Sequence, residues 1–202
     1  MSKDNGMVWV PDLGLGYCPQ LAMSDFYGQS YWDEYVRRSR TEMGERITEL
    51  RCALVAKHIG ERASVLDIGI GCGHFIEKRG FTFGHDVNPV GIKWLNDRHL
   101  YRNPLDGFPN MTFWDALEHI PNASSVVGAC KSHAFVTMPI YQDETSIRES
   151  RHFKPGEHLW YFTREGLIRW AKGLGFQMVE HNDDETKLGR VDIETFVFKR
   201  VA

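Results

Sequence analysis

The stretch with the clearest chemical content is Val65–Phe75, which reads Val-Leu-Asp-Ile-Gly-Ile-Gly-Cys-Gly-His-Phe. It begins as a short apolar run typical of a strand, and its glycines stand at alternate positions (Gly69, Gly71 and Gly73) before an amphipathic segment. A strand that passes through a glycine turn into a helix presents backbone N–H groups to a ligand at the edge of an open α/β sheet. The stretch therefore predicts a ligand-binding loop with Asp67 at the end of its strand. The alternative is a glycine-rich turn that binds nothing.

A second acid follows at a spacing that suits a nucleoside. The strand-like run Phe81–His85 ends at Asp86, nineteen residues after Asp67. In a βαβ nucleoside site, an acid at the tip of the second strand accepts hydrogen bonds from the ribose hydroxyls. The alternative is an ordinary strand-end aspartate that begins a turn. A dinucleotide fingerprint would need glycine where the chain has His74, which argues against a nicotinamide cofactor.

Two motifs resemble those of class I S-adenosylmethionine (AdoMet)-dependent methyltransferases. Asp-x-Gly-x-Gly-x-Gly at 67–73 resembles the first motif of that family, and Gly-His-Asp-Val-Asn-Pro at 84–89 resembles the second. The resemblance implies that Asp67 and the three glycines hold the amino-acid end of AdoMet and that Asp86 holds its ribose. A carboxylate suits the ammonium group of this ligand, and a helix N-terminus suits its carboxylate.

A further motif lies at 111–121. Met111–Trp114 is predicted as the fourth strand, and the Asp-Ala-Leu-Glu-His that follows resembles a signature of small-molecule methyltransferases, including the ubiquinone-pathway O-methyltransferases. The resemblance implies that Asp115, Glu118 and His119 emerge near the reacting methyl group or at the pocket rim, and we count Asp115 among the cofactor contacts. The alternative is local capping of the next helix, and Glu118 and His119 more often have a structural role in this motif.

Two histidines, His152 and His158, are the candidates for a general base. They lie in a segment that resembles the family's His…His-x-x-x-Phe-Thr approach to a helix, and imidazole titrates near neutral pH. The alternative is a hydrogen-bonded structural histidine beside aromatic rings. No metal site is predicted, because the nine histidines lack the i, i+4 spacing with glutamate of a zinc-protease helix and the four cysteines form no C-x-x-C pair. The cysteines are expected to be reduced thiols.

The resemblance implies an α/β fold, with a Rossmann-like seven-stranded, mostly parallel sheet, helices on both faces and a C-terminal antiparallel hairpin. The sequence pattern predicts a helix over Thr41–Ile59 with Leu50 on its apolar face, a helix capped by Asn88, a strand at Ser132–Tyr141, a helix capped by Thr163 and a hairpin of Phe176–Glu180 with Ile193–Lys199. Irregular structure is expected over Met1–Leu21 and a loop over Gln142–Pro155, and a third strand is sought at His99–Arg102.

Two parts of the chain are distinguished: an N-terminal segment (1–40) and an AdoMet-dependent methyltransferase domain (41–202). In the first part, aromatic residues recur at helical spacing (Tyr27, Tyr31, Trp32 and Tyr35). This aromatic face is predicted either to pack on the core or to lie over the active site as a lid, since tyrosine has an apolar body and a polar tip.

The totals narrow the choice of acceptor and location. The chain has 202 residues, a formal net charge of −3 and no basic stripe typical of a dedicated nucleic-acid binder. No membrane span or signal peptide is visible, so a cytoplasmic protein is expected. The motif of the amino-methylating nucleic-acid enzymes (Asp/Asn-Pro-Pro-Tyr/Phe) and the Pro-Cys of cytosine-C5 enzymes are missing. A small-molecule acceptor is therefore predicted, while a nucleic-acid acceptor and the oligomeric state stay open.

The function that these patterns favour is transfer of a methyl group from AdoMet. Two alternatives remain at this point: an NAD-dependent oxidoreductase on a Rossmann sheet, and a non-catalytic protein that binds AdoMet.

Overall fold

The computed structural model describes residues 6–19 and 27–201. The strands in chain order are β1 (Val8–Val10), β2 (Leu15–Tyr17), β3 (Val65–Ile68), β4 (Thr82–His85), β5 (Phe108–Trp114), β6 (Cys130–Tyr141), β7 (Trp160–Thr163), β8 (Phe176–Asn182) and β9 (Ile193–Arg200). The α-helices are α1 (Gln29–Ser39), α2 (Glu42–Ile59), α3 (His74–Arg79), α4 (Pro89–Asp97), α5 (Ala123–Gly128), α6 (Glu144–Glu149), α7 (Arg164–Gly173) and α8 (Asp184–Lys187).

The described residues form two compact units. Residues 27–114 and 129–135 make up the glycine-loop unit, and residues 6–19, 115–128 and 136–201 make up the hairpin unit. Strand β6 contributes to both. Counting β6 once, the two units hold seven strands in addition to the β8–β9 hairpin, which is the number expected.

The glycine-loop unit is built on a parallel sheet centred on β3. All four residues of β3 are buried, and β4 and β5 pair with it in parallel on its two sides. Asp67 stands opposite Gly84 on β4 and opposite Thr112 on β5. The predicted strand–loop–helix order around Asp67 is confirmed, because α3 begins at His74 directly after the glycine loop.

The helices of this unit begin where the sequence predicts. The Thr41 hydroxyl accepts the Gly44 N–H at the start of α2, and the Asn88 side chain accepts the Val90 N–H at the start of α4. One detail of α2 differs: Val55 is buried as predicted, but Leu50 is exposed. The sought third strand is reduced to one isolated bridge between Gly84 and Tyr101.

The hairpin unit contains antiparallel strand pairs as well as a parallel one. Strands β1 and β2 pair antiparallel, β2 pairs antiparallel with β7, and β7 runs parallel to β6. The predicted terminal hairpin is confirmed, since β8 and β9 pair antiparallel and β9 also pairs with β6. Thr163 caps α7 as predicted by accepting the Gly166 N–H.

Two predictions for this unit are wrong. The region expected to be irregular holds β1 and β2. The Gly16 backbone packs closely on Tyr161, since a Cβ added at Gly16 would lie 3.3 Å from Cβ of Tyr161. This tertiary contact overrides the weak strand preference of glycine. The expected loop after β6 holds α6, whose Asp143 and Ser146 form a capping box and whose Ile147 is fully buried.

No disulfide bond joins any of the four cysteines, all of which lie among the described residues (Cys18, Cys52, Cys72 and Cys130). Among the residues that the structure describes, no helix is long and apolar enough to cross a membrane.

Candidate functional site

The glycine loop is held by its own backbone and by aromatic rings. Gly71 and Gly73 have left-handed backbone conformations, with φ of 58° and 80°, which side chains rarely adopt. A Cβ added at Gly71 would lie 2.8 Å from Cδ1 of Tyr35, and one added at Gly73 would lie 2.6 Å from Cη2 of Trp94. Both glycines are therefore required by the loop conformation and by protein packing. Gly69, also at positive φ, is exposed at the end of β3 and donates its N–H to the His85 carbonyl at 2.8 Å.

Asp67 is a buried carboxylate with one side-chain hydrogen-bond donor. It is 1% exposed, and the Thr112 hydroxyl donates to its Oδ1 at 2.6 Å. Burial raises the pKa of Asp67 to about 7, against the hydrogen bond from Thr112 and the positive charge of Arg51, which lower it. The nearby negative charge of Asp86 raises it further. A cationic ligand beside this carboxylate would stabilise its ionised form.

Asp86 stands directly after β4, at the position predicted for the ribose contact. It is buried, and its Oδ1 accepts the Asn88 N–H at 2.7 Å. Burial raises the pKa of Asp86, while backbone hydrogen bonds from Asn88, Val87 and Ile70 oppose the change. Asp67 and Asp86 therefore stand at the ends of neighbouring parallel strands. They are close enough for the negative charge of Asp86 to raise the pKa of Asp67.

The aromatic face of α1 packs against this loop. Trp32 belongs to a buried cluster with Ile70, Ile76 and Leu95, so this part of the face is core. The other side carries two tyrosines in contact: Tyr31 donates its hydroxyl to the Tyr35 hydroxyl at 3.0 Å, and the tilted rings have centroids 4.6 Å apart. Burial raises the pKa of Tyr31 well above its usual range, so the phenol stays protonated. Core packing is therefore confirmed for Trp32, and the lid placement of the aromatic face stays a prediction.

The side chain that replaces the third glycine of the dinucleotide fingerprint contacts a neighbouring helix. His74 begins α3, and its Nε2 lies 3.2 Å from Oε1 of Glu45 on α2. A third glycine at this position would permit close packing of helix on strand. The imidazole instead contributes to the contact between α2 and α3.

In the hairpin unit, Asp115 forms a bidentate ion pair that the sequence did not indicate. Nη1 and Nη2 of Arg190 donate to its two oxygens at 2.9 and 3.0 Å. Arg190 also donates to Glu185, whose side chain is buried. Asp115 has a φ of 55° and anchors its backbone N–H to the Thr137 carbonyl at 2.8 Å. Its carboxylate is therefore held in one orientation.

Three side chains of the same unit come together although no spacing motif joins them. Glu118, His119 and His158 offer ligand atoms that all lie within 4.8 Å of one another. Glu118 and His158 are 2% and 4% exposed, and Oε2 of Glu118 is buried without a hydrogen-bond partner. Burial raises the pKa of Glu118 to about 8 and lowers the pKa of His158 to about 3. The sequence placed Glu118 and His119 in one motif but gave no signal for their contact with His158.

The two general-base candidates differ in their surroundings. His152 is partly exposed, and its Nε2 lies 3.0 Å from the Val191 carbonyl, to which it donates, leaving Nδ1 as the basic nitrogen. His158, with its low pKa, is a weak base, since an efficient general base has a pKa near the working pH.

Comparison with protein families relates this chain to methyltransferases. A family model described as a methyltransferase domain matches residues 35–181. No curated protein matches the chain.

Solved structures share the fold at low sequence identity. Magnesium protoporphyrin IX methyltransferase from Synechocystis PCC 6803, with bound S-adenosylhomocysteine, has a TM-score of 0.59 and 10% identity over 86% of this chain and 95% of its own. The 1,6-didemethyltoxoflavin-N1-methyltransferase from Burkholderia thailandensis has a TM-score of 0.57 and 15% identity over 86% and 84%. An S-adenosylmethionine-dependent methyltransferase from Archaeoglobus fulgidus has a TM-score of 0.54 and 16% identity over 85% and 100%. These similarities show that the α/β fold is Rossmann-like, as predicted.

Proposed function

Because this chain belongs to the methyltransferase domain family, we propose that it transfers a methyl group from S-adenosylmethionine to a small-molecule acceptor. Its family and fold make it a class I methyltransferase. The structural neighbours with bound S-adenosylhomocysteine support the same cofactor here. The nicotinamide alternative loses its support, because neither the glycine spacing nor the family match favours it.

The observation that carries the proposal is the pair of buried carboxylates at the ends of β3 and β4. AdoMet brings two positive groups, an ammonium and a sulfonium, as well as a ribose whose hydroxyls donate hydrogen bonds. Asp67, with a pKa of about 7 in the protein alone, gains from a positive partner, and Asp86 is placed to accept from the ribose. The glycine loop between them, with Gly69 exposed, gives the methionine part access to the backbone.

The protein has little covalent chemistry to supply. The methyl group is already activated on a sulfonium, so catalysis consists mainly of holding donor and acceptor in line, and orientation of this kind can contribute roughly 7–11 kcal/mol. The acceptor nucleophile forms the new bond to carbon while the sulfur takes the electrons of the bond that breaks. S-adenosylhomocysteine and the methylated acceptor are the products.

Several observations support a small acceptor. Two structural neighbours are named for acceptors of low molecular weight, magnesium protoporphyrin IX and 1,6-didemethyltoxoflavin. The chain also lacks the signatures of amino-methylating and cytosine-C5 nucleic-acid enzymes.

The finer resemblance to ubiquinone-pathway O-methyltransferases rests on residues 115–119 alone and stays a prediction. The cytoplasmic location and the role of Asp115 as a cofactor contact also stay predictions.

For an acceptor that must lose a proton, His152 is the proposed general base. Its Nε2–H is fixed by the Val191 carbonyl, so Nδ1 carries the lone pair. An amine acceptor in its neutral form would not need this step.

In the N-terminal segment, we propose that Tyr31 and Tyr35 of α1 act as the cover of the glycine loop, a role supported by the contact of Tyr35 with Gly71.

The proposal is tested by incubating the protein with methyl-labelled AdoMet and fractionated metabolite extract. We expect label in a low-molecular-weight fraction with the wild type and with Asp97→Ala, which removes a carboxylate that is 55% exposed. Asp86→Ala should transfer far less. Bound cofactor without label in any fraction would establish the non-catalytic alternative, and label confined to nucleic acid would overturn the small acceptor.

A further inference from the structure

The cluster of Glu118, His119 and His158 in the hairpin unit has a chemistry that methyl transfer does not use. Transfer of the methyl group from AdoMet does not by itself require a metal ion, because the donor is already activated. Two imidazoles and one carboxylate nevertheless face one another with ligand atoms within 4.8 Å. We propose that these three residues bind a divalent transition-metal ion of the zinc type. The proposal is independent of the AdoMet site.

The first support is the unpartnered oxygen of Glu118. Oε2 is buried and has no hydrogen-bond partner, and the side chain is 2% exposed. A buried acceptor without a partner destabilises the fold, and more so when it is charged. A metal ion in the cluster would satisfy this oxygen, as no protein donor does.

The second support is the orientation of His119. Its Nδ1 lies 2.9 Å from the Glu157 carbonyl and donates to it, so the imidazole is the neutral tautomer with its lone pair on Nε2. A ring nitrogen that donates to a backbone carbonyl while the other binds metal is the usual second-shell arrangement of histidine ligands. The His119 and His158 rings meet edge to face with centroids 4.6 Å apart, which holds the nitrogen atoms of the two rings close together.

The ligand set decides the class of ion. Imidazole suits Zn²⁺, Fe²⁺, Co²⁺ and Ni²⁺, whereas Mg²⁺ and Ca²⁺ prefer oxygen ligands. A tetrahedral Zn²⁺ with ligand bonds of about 2.0–2.2 Å holds its ligand atoms about 3.4 Å apart, so side-chain rotations must draw the cluster together by about an ångström. Three protein ligands leave a fourth position, which an oxygen or nitrogen donor of a small molecule could take.

The backbone supports such a site. The Leu159 N–H donates to the Glu118 carbonyl at 2.7 Å, which ties the segment that carries His158 to the turn that carries the other two ligands. The Trp160 indole N–H donates to the Ile120 carbonyl at 2.8 Å and joins the same two segments again. The ligands thus sit on a fixed frame.

The test uses the full chain freed of metal by a chelator and no AdoMet, so that its outcome does not depend on methyl transfer. Zn²⁺ is titrated by calorimetry, and Co²⁺ is added as a spectroscopic probe. We expect one ion per chain, intense visible absorption from tetrahedral Co²⁺, and a higher melting temperature with Zn²⁺.

The variants are Glu118→Gln and His158→Gln. Each should weaken Zn²⁺ binding by about a hundredfold or more, because each removes one of three ligands. Glu118→Gln keeps the size of the side chain and should still fold, which its melting curve without metal will show. The matched control is His181→Gln, since His181 pairs with Glu194 at 2.7 Å elsewhere in the same unit, and it should bind Zn²⁺ like the wild type.

Three results would overturn the assignment. These are a wild-type protein that binds no Zn²⁺, a Co²⁺ spectrum of the weak octahedral kind, and an affinity that Glu118→Gln and His158→Gln share with the wild type.

Discussion

The two units of the protein give the carboxylates at the ends of their strands different hydrogen-bond partners. In the glycine-loop unit, Asp67 and Asp86 are met by neutral donors, the Thr112 hydroxyl and the Asn88 N–H. In the hairpin unit, Asp115 is met by a guanidinium, that of Arg190. The first arrangement compensates negative charge only in part, through neutral donors and the positive charge of Arg51 acting on Asp67, and the second neutralises it within the protein.

This difference indicates which unit is prepared for a cationic ligand. Buried carboxylates whose charge is compensated only in part lower the free energy of unfolding, but they favour a ligand that carries positive charge. A compensated ion pair orients a side chain and contributes to stability, but it has less need of a ligand. The predictions below test the difference, beginning with the largest expected effect.

Arg190→Ala should destabilise the hairpin unit most. It leaves Glu185, whose side chain is 4% exposed, and Asp115, whose side chain is 24% exposed, without their cation. Breaking a buried ion pair costs about 3–5 kcal/mol, and the partial exposure of Asp115 places the expected loss near the lower end, about 3 kcal/mol. The free energy of unfolding in urea measures it.

The control for this variant is Arg164→Ala. Arg164 pairs with Glu194 at 2.7 Å, but its side chain is 49% exposed, and we expect a loss below about 1 kcal/mol. Equal losses in the two variants would show that the Arg190 ion pair is no more important than a surface pair.

Gly71→Ala should destabilise the glycine-loop unit by about 2 kcal/mol. The cost combines a left-handed backbone, about 1 kcal/mol, with a clash against Tyr35, 2.8 Å from the added Cβ. In a Tyr35→Ala background the clash is relieved, so the same substitution should cost only about 1 kcal/mol. An equal cost of Gly71→Ala in both backgrounds would contradict the packing of α1 on the loop.

Asp67→Asn should change how stability depends on pH. The folded-state pKa of about 7 lies above the ordinary value of 3.8, so the folded chain binds a proton more tightly than the unfolded chain. Stability should therefore fall as pH rises between these values, by about 2 kcal/mol from pH 5 to pH 7 through this group alone. Unfolding curves at several pH values should show a flatter profile for Asp67→Asn, whereas Asp97→Asn should keep the wild-type profile. A wild-type profile in Asp67→Asn would mean that Asp67 is ionised throughout.

The glycine-loop unit is also the part of the fold that sequence describes best. The run from Val65 to Asp86 carries its strands, loop and helix as a contiguous pattern, and the caps at Thr41 and Asn88 are local hydrogen bonds between near neighbours. The failure at Leu50 shows the limit, because helical spacing defines a face but not which edge of that face the neighbours cover.

The hairpin unit was predicted less well because its contacts join distant residues. Arg190 is 75 residues from Asp115, and it falls in a segment read only as a turn. Strand β2 contains Gly16, which a local pattern assigns to irregular structure, and α6 has six residues, too few to display a helical period. The cluster of Glu118, His119 and His158 likewise exists only once β7 brings its preceding segment back to the 115–119 turn.

The central claim is that the carboxylates of the glycine-loop unit hold AdoMet. Its most direct measurement is calorimetric titration of S-adenosylhomocysteine into the wild type, Asp86→Ala and the control Asp97→Ala, with NADH as competitor ligand. We predict one site per wild-type chain and wild-type binding in the control. Asp86→Ala should stay folded and bind about tenfold more weakly, which corresponds to about 1.4 kcal/mol. Equal affinity in Asp86→Ala, or tighter binding of NADH than of S-adenosylhomocysteine, would contradict the account.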